Sequence, residues 1–397
     1  MSESSVASEL CRKYLRLHLC NGIGAVRFGA LLREIGDIDR VLTAAPRELT
    51  RVKGISEKLA ASVARDRDEA AVEREIALAG EHGVRIICLA DDEYPIALKR
   101  IDDPPPCLYV KGTLQREDAI ALGVVGSRHS SRYGAEQAER FGALLGGAGF
   151  TVASGMARGI DTAAHRGALS AGGRTIAVLG CGLCHLYPPE STELARRIAA
   201  SGAILSELPM NIAPDSKNFP PRNRIIAGLS LGILVVEAAR RSGALITARL
   251  ANEYNREVFA IPGRIDMITA EGCNELIKTG GAKLVTKLED VLQELGETGE
   301  ALMPASSNPA GTKCQGSLPF DSKAVEGRPL VSLTPQEAHT LRILGPEALP
   351  IEAFCDGGEL APSQVAAALT GLQLKGMVRR VKGDLYERTG PGAAAPS

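Results

Sequence analysis

Between residues 119 and 290, short apolar runs alternate with longer amphipathic stretches, and this alternation constrains the fold more than any other feature of the chain. The runs are Ala119–Val125, Phe150–Ala153, Thr175–Leu179, Ala203–Ser206, Gly232–Glu237 and Val258–Ile261. Most carry apolar residues at consecutive positions, as strands buried on both faces do. Helical patterns separate most of them. The alternation predicts an α/β protein with a doubly wound, mostly parallel sheet, Rossmann-like in the broad sense. Ligands of such sheets bind beyond the carboxyl ends of the strands, so the loops after the strands are where function is sought.

At 397 residues the chain exceeds one simple core, and its flanks read as further units. Residues 1–80 read as a helical module with breaks at Asn21-Gly22-Ile23-Gly24 and Lys53-Gly54-Ile55-Ser56. Each break is a glycine-rich turn followed by a helical run. Tandem helix-hairpin-helix (SAM-like) modules share this pattern with small bundles that have glycine caps. The core is expected over 81–296. Within it, 84–112 reads as a connector with extended pieces at Val84–Leu89 and Cys107–Val110, interrupted by Tyr94-Pro95 and Asp103-Pro-Pro-Pro106. Residues 297–330, rich in Gly, Pro, Ser and Ala, are expected to form a flexible linker. From 331 to 390 a compact unit resumes. It has a helix start at Thr334-Pro335-Gln336-Glu337, an amphipathic helix over Pro362–Leu374, and a hairpin joining Met377–Val381 to Leu385–Glu387. That is a winged-helix plan. Lys375, Arg379, Arg380 and Lys382 suit a wing on DNA, whereas Glu337, Glu347, Glu352, Asp356 and Glu359 balance the unit and suit protein docking equally well.

A hydrophobic content of 45% and a charged content of 23% are those of a globular protein. The net charge of −1 excludes a uniformly basic nucleic-acid coat, so any such site must be a local patch. No apolar run approaches the roughly 20 residues that span a bilayer, and the polar, acidic start Met1–Glu9 is unlike a signal peptide. Cysteines are scattered and odd in number, nine in all, which fits free thiols in a reducing cytoplasm.

Several of the expected strand-end loops deliver glycine, hydroxyl or arginine. The first strand ends in Gly126-Ser127-Arg128, and the second runs into Ser154-Gly155-Met156-Ala157-Arg158. A later loop carries Arg240-Arg241-Ser242-Gly243, with Ser242 read as a helix N-cap. Glycine admits close backbone approach, hydroxyls donate, and arginine offers a bidentate fork to phosphate. The most suggestive stretch is Phe219-Pro220-Pro221-Arg222-Asn223-Arg224, where a helix is expected to begin at the arginines. Free amides at that helix start, two guanidiniums and the nearby Lys217 would bind phosphate. The ring of Phe219 would offer a stacking surface for a base, the combination that grips single strands. Ile225, Ile226 and Leu229 are expected to bury the other face.

The G-x-x-x-x-G-K-[ST] phosphate loop is missing, and the first loop lacks G-x-G-x-x-G, which argues against ATP hydrolysis and dinucleotide binding. Asp161, His165 and Glu237 would make an acid–base set if they converged. Asp161 reads better as a helix cap, and His165 as part of a helix face. Cys181-Gly182-Leu183-Cys184 has no second ligand pair at zinc spacing, so no metal or cofactor is expected.

Taken together, Gly126-Ser127-Arg128, Ser154–Asp161, Phe219–Ser230, Val235–Ala238, Ser242–Ala248 and Val258–Gly263 resemble the DNA-processing protein A (DprA, also called Smf) family, over about residues 90–290. The resemblance implies a cytoplasmic, non-enzymatic protein that binds single-stranded DNA, forms a homodimer and loads the RecA recombinase in natural transformation. It implies Arg128 as a phosphate ligand, Ser154, Gly155 and Arg158 as a second wall, and Arg222, Asn223 and Arg224 as a third. Lys217 and Phe219 are added from their chemistry alone. Asn255-Arg256 departs from the family's common Gly-Arg, and Cys184 has no counterpart role. The competing expectation is a nucleotide- or ribosyl-processing enzyme, since doubly wound sheets host many activities. Arg264 after Pro262-Gly263, where such enzymes carry a second glycine, speaks against it.

Overall fold

Nine strands form one sheet: β1 (Arg85–Cys88), β2 (Cys107–Gly112), β3 (Ala121–Val125), β4 (Thr151–Ser154), β5 (Thr175–Val178), β6 (Ala203–Ser206), β7 (Gly232–Val235), β8 (Glu257–Ala260) and β9 (Lys283–Leu284). This computed structural model describes residues 6–65, 69–302 and scattered positions between 339 and 388. The spatial order is β1-β2-β6-β5-β4-β3-β7-β8-β9. From β6 across to β9 every neighbouring pair is parallel. The chain steps outward from β3 to β6, then returns to the other side of β3 with β7. The point of reversal, between β3 and β7, is where a doubly wound sheet opens a crevice.

Helices cover both faces. On one side α7 (Arg132–Gly147) and α8 (Ile160–Ser170) enclose a cluster with Leu122, Val124, Val152 and Leu234. On the other, α10 (Phe219–Leu229) and α11 (Gly243–Glu253) pack Ile225, Ile226, Ala244 and Ala248 against Val125, Ile176, Ile233 and Val235. Between them in sequence, α9 (Thr192–Ser201) sets Ile198 against Ala177 and Ile204. Beyond β8 lie α12 (Glu271–Lys278), α13 (Leu288–Glu294) and α14 (Gly296–Leu302). Leu302 packs on the cluster of α7 and α8, so the first residues of the expected linker are helical. The rest of that linker falls outside the described residues.

Residues 84–112 are more than a connector. They supply two antiparallel strands, β1 on β2 and β2 on β6, that extend the sheet. Their residues alternate between two cores. Ile87, Leu108 and Val110 face the cluster of α10 and α11, whereas Ile86, Cys88, Cys107 and Tyr109 face a second cluster. That second cluster is filled by α1 (Glu9–His18) and α6 (Glu69–Glu81), through Cys11, Leu15, Val72 and Ile76. Between these helices come α2 (Ala25–Ile35), α3 (Ile38–Thr43), α4 (Pro46–Leu49) and α5 (Glu57–Arg65). Gly22 and Gly54 sit in the two expected turns at φ 87° and 89°, a conformation open to glycine. Residues 1–310 form one compact unit, with the helical module joined to the sheet by this shared cluster.

The second compact unit spans 311–397. In it β10 (Leu349–Pro350), β11 (Val378–Val381) and β12 (Leu385–Arg388) form a sheet in the order β10-β12-β11. The expected hairpin is present, with Val378 opposite Arg388. Val365, Leu369 and Leu372 share a buried cluster with Leu344 and Phe354, the face expected of the amphipathic segment. Arg379 and Arg380 lie on β11, while Thr334–Glu337, Lys375 and Lys382 fall outside the described residues. Among the described residues no helix is long and apolar enough to cross a membrane.

Candidate nucleic-acid interface

Two adjoining cavities run along the carboxyl edge of the sheet at the reversal point, with Arg128, Ala157 and Phe219 lining both. One extends toward α11, bounded by Asn223, Gly243 and Thr247. The other extends toward the end of β5, bounded by Gly180, Cys181 and Tyr187. The charged groups along the pair are Arg128, Arg158, Arg222 and the single carboxylate Asp161. Arg128 is exposed, and its guanidinium carbon lies 4.6 Å from the Phe219 ring centroid. The half-buried ring also leans on Tyr187, at 5.8 Å between centroids. One face of Phe219 therefore carries a cation, and the ring holds Arg128 on the ridge between the cavities.

Beneath this ridge Arg222 is buried. Its Nη1 donates to the carbonyls of Gly155, at 2.8 Å, and Val178, while Nε donates to Asn223 Oδ1 at 3.3 Å. A Cβ on Gly155 would lie 2.5 Å from that guanidinium, so glycine there makes the approach possible. Burial lowers the Arg222 pKa to about 10, which leaves it charged at neutral pH. No carboxylate among the described residues comes within 4.0 Å of it. It is a fixed positive charge under the groove floor. Asp161 offsets it only in part: burial raises its carboxyl, while Arg222 and the Gly155 and Ala157 amides oppose that rise. Met156 between them holds φ 54°, a strained value for a side-chain-bearing residue.

The loop after β3 is braced from below. Glu237 is buried and accepts from the Ser131 amide at 3.0 Å and the Ser131 hydroxyl at 2.9 Å. Ser131 in turn caps α7 by accepting from the Gly134 amide. A Cβ on Gly134 would fall 1.8 Å from Glu237 Oε2, so the carboxylate fits only above a glycine. His165 is engaged elsewhere. Thr175 Oγ1 donates its one proton to Val152 O, so His165 Nδ1, 2.6 Å away, is the donor to that hydroxyl. Asp161, His165 and Glu237 thus each have separate partners, and Asp161 braces the preceding loop rather than capping its own helix, whose N-cap is Gly159. Burial pushes His165 down to about 3. Below pH 6.5 the unfolded chain takes a proton that the folded chain refuses until about pH 3, so stability falls as pH drops through this window. The midpoint of urea unfolding should therefore fall between pH 6.5 and 4, and fall less steeply in His165→Gln.

Other residues expected at the site are placed differently. Helix α10 begins at Phe219, three residues before Arg222, so Pro220 and Pro221 occupy its first turn. Neither has an N–H, and the Phe219 amide already donates to Ser216 O, so this helix start lacks the amide cradle expected of it. Arg224 does not line the groove. Two residues on from Arg222 is about 200° around a helix, the opposite face. There Arg224 is buried, with Nη2 2.6 Å from both Glu207 oxygens and Nη1 2.7 Å from Asp103 O. Ser154 Oγ is buried and donates to Val124 O, and Ser127 Oγ accepts from the His129 amide. Gly126 packs against Ile160 at the base of the same loop. Ser242 caps α11 through the Ala244 amide, leaving Gly243 at the cavity wall. Arg158 stands at the rim, paired with Glu190. Lys217 is exposed and paired with Asp215 at 3.0 Å, while its neighbour Ser216 lines the cavity. Tyr187 was not expected as a lining residue; Thr247, a doubtful ligand in the sequence, lines the cavity one turn into the helix that Ser242 caps.

Sheet order, helices on both faces and a crevice at the reversal point make this a doubly wound α/β protein of the Rossmann type. A family model described as DNA recombination-mediator protein A matches residues 85–296, and one described as the DprA winged helix domain matches 324–384. The chain is 34% identical over 382 residues to Protein Smf of Synechocystis sp., covering 92% of this chain and 96% of that protein. It is 46% identical over 206 residues to the DNA processing protein DprA of Streptococcus pneumoniae, 52% of this chain and 72% of that one. An X-ray structure of the Streptococcus pneumoniae protein superposes with a TM-score of 0.63 at 36% identity, covering 71% of this chain and 97% of that one. The chain belongs to the DNA recombination-mediator protein A family.

Proposed function

We propose that this protein is a non-enzymatic recombination mediator that binds single-stranded DNA, protects incoming strands and loads the RecA recombinase onto them during natural transformation. It acts in the cytoplasm as a homodimer. The observation that carries the reading is the open double cavity with Arg128 held on Phe219 at its middle and Arg222 charged beneath. A groove that continues past both sides of a cation suits a polymer of phosphates, and an aromatic ridge suits unpaired bases. Family membership supports the recombination role. The competing reading, a nucleotide- or ribosyl-processing enzyme, needs an acid or base free to move a proton at the groove. Asp161, the carboxylate at the groove, accepts from the Gly155 and Ala157 amides, and the buried Glu237 and His165 Nδ1 bond Ser131 and Thr175 instead.

Competition gel shifts test the proposal. Single strands should displace duplex, and affinity should fall steeply with salt. Deleting residues 331–397 should leave single-strand binding by the first unit in place, which a regulator built on the winged helix would not. Equal affinity for duplex, or sustained turnover of nucleoside monophosphates, would replace this reading.

A further inference from the structure

Three thiols and a carboxylate meet where the helical module joins the sheet. Cys11 lies on α1, Cys88 ends β1, and Asp91 stands in the turn that follows. Cys107 opens β2 directly opposite Cys88. The flanking bond from the Leu89 amide to Pro106 O makes Cys88 and Cys107 a close, non-hydrogen-bonded cross-strand pair. The ligand atoms of Cys11, Cys88 and Asp91 all lie within 4.8 Å of one another, with the Cys11 thiol donating to Ile86 O at 3.4 Å, and Cys107 shares the buried cluster of Cys11 and Cys88 from the facing strand. All three thiols are free and fully buried.

A cluster of buried cysteines can be ordinary core, since thiols pack as small apolar groups. Two observations set this one apart. Its carboxylate is fixed from outside: one Asp91 oxygen accepts from the Cys88 amide at 2.7 Å and the other from Ser8 Oγ at 2.9 Å. Such outer contacts orient a metal ligand. Asp91 also lines a surface cavity together with Asp92 and the ion pair of Arg85 with Glu93, which leaves Asp91 and Asp92 as the carboxylates a cation would meet on its way inward. A tetrahedral zinc with Zn–S near 2.3 Å needs sulfurs about 3.8 Å apart, so closing Cys11, Cys88 and Asp91 takes shifts on the order of 1 Å and frees the Cys11 thiol from Ile86 O, while Cys107 turns in from across the strand pair to complete the set.

We propose that Cys11, Cys88, Cys107 and Asp91 bind a zinc-class divalent cation that staples the helical module to the sheet. The thiols lose their protons to solvent on ligation, and no redox step is involved. No short-spaced motif announces the site, because its ligands come from three separate segments.

The full-length chain, free of added histidines, is titrated with cobalt(II) and then zinc. A thiolate-to-cobalt charge-transfer band, tetrahedral visible bands, displacement by zinc and a zinc-dependent rise in melting temperature are expected. Loss of an outer partner alone costs about tenfold or more in metal affinity, so Asp91→Asn should weaken cobalt binding by at least about tenfold. Cys88→Ser should remove the charge-transfer band; if that variant fails to fold, Asp91→Asn, altered at a partly exposed position, decides alone. The double variant Cys181→Ser/Cys184→Ser should bind as the parent does. An absent charge-transfer band, unchanged affinity in Asp91→Asn, or loss of binding in the Cys181/Cys184 variant overturns the proposal.

Discussion

Arg128→Glu should weaken single-strand binding by roughly 10- to 100-fold at low salt and flatten the salt dependence by about one phosphate contact. The side chain is exposed and stands over Phe219, so reversal places a carboxylate on the ridge shared by both cavities. It also sets like charge toward the incoming backbone. Folding should suffer little, because the structure loses only a surface cation–π contact worth about 0.5–1 kcal/mol. Thermal melting and fluorescence anisotropy on the same preparation separate the two effects. Arg158→Glu is the informative companion. Arg158 sits at the rim already facing Glu190, so its reversal should cost less affinity. Normal binding by Arg128→Glu would show that the groove is not the DNA path.

Arg224→Ala should destabilise the protein by about 3–5 kcal/mol and leave the intrinsic DNA affinity of the folded fraction unchanged. Burial already pushes the Glu207 carboxyl above its usual range with Arg224 beside it. Removing the guanidinium strands that carboxylate and unties Asp103, which also holds Tyr254 through a 2.8 Å hydrogen bond. Urea unfolding measures the loss. Adding Glu207→Leu should recover part of it, because a buried pair replaced by apolar groups is often near neutral. If Arg224→Ala instead keeps its stability and loses DNA, the helix face has been misassigned.

The contrast between Arg128 and Arg224 shows what the amino-acid order reveals and where it misleads. Consecutive apolar residues announced β3 to β8 because strands covered on both faces need them. The strand-end loops then followed from topology, and with them Arg128, Phe219, Asn223 and Gly243. By contrast, β1 and β2 read as a connector because their second covering layer, α1 and α6, comes from a distant segment. The two-residue strand β9 is exposed and has no apolar signal. Arg222 and Arg224 read as partners because they are close in the chain, yet a helix turns neighbours two apart to opposite sides. Cys11, Cys88 and Cys107 looked scattered for the converse reason: they are far apart in the chain and adjacent in the fold.

The prolines at the start of α10 bear on how the protein would let go of DNA. A row of backbone amides would fasten each phosphate at one spacing and one angle. With that row missing here, the proposed grip beside Phe219 would rest on guanidiniums, one of them on a long, exposed stem. Such a hold has no fixed register. On the proposed reading, a strand would creep through it one nucleotide at a time without breaking every contact at once, and a competing filament would peel it away from one end.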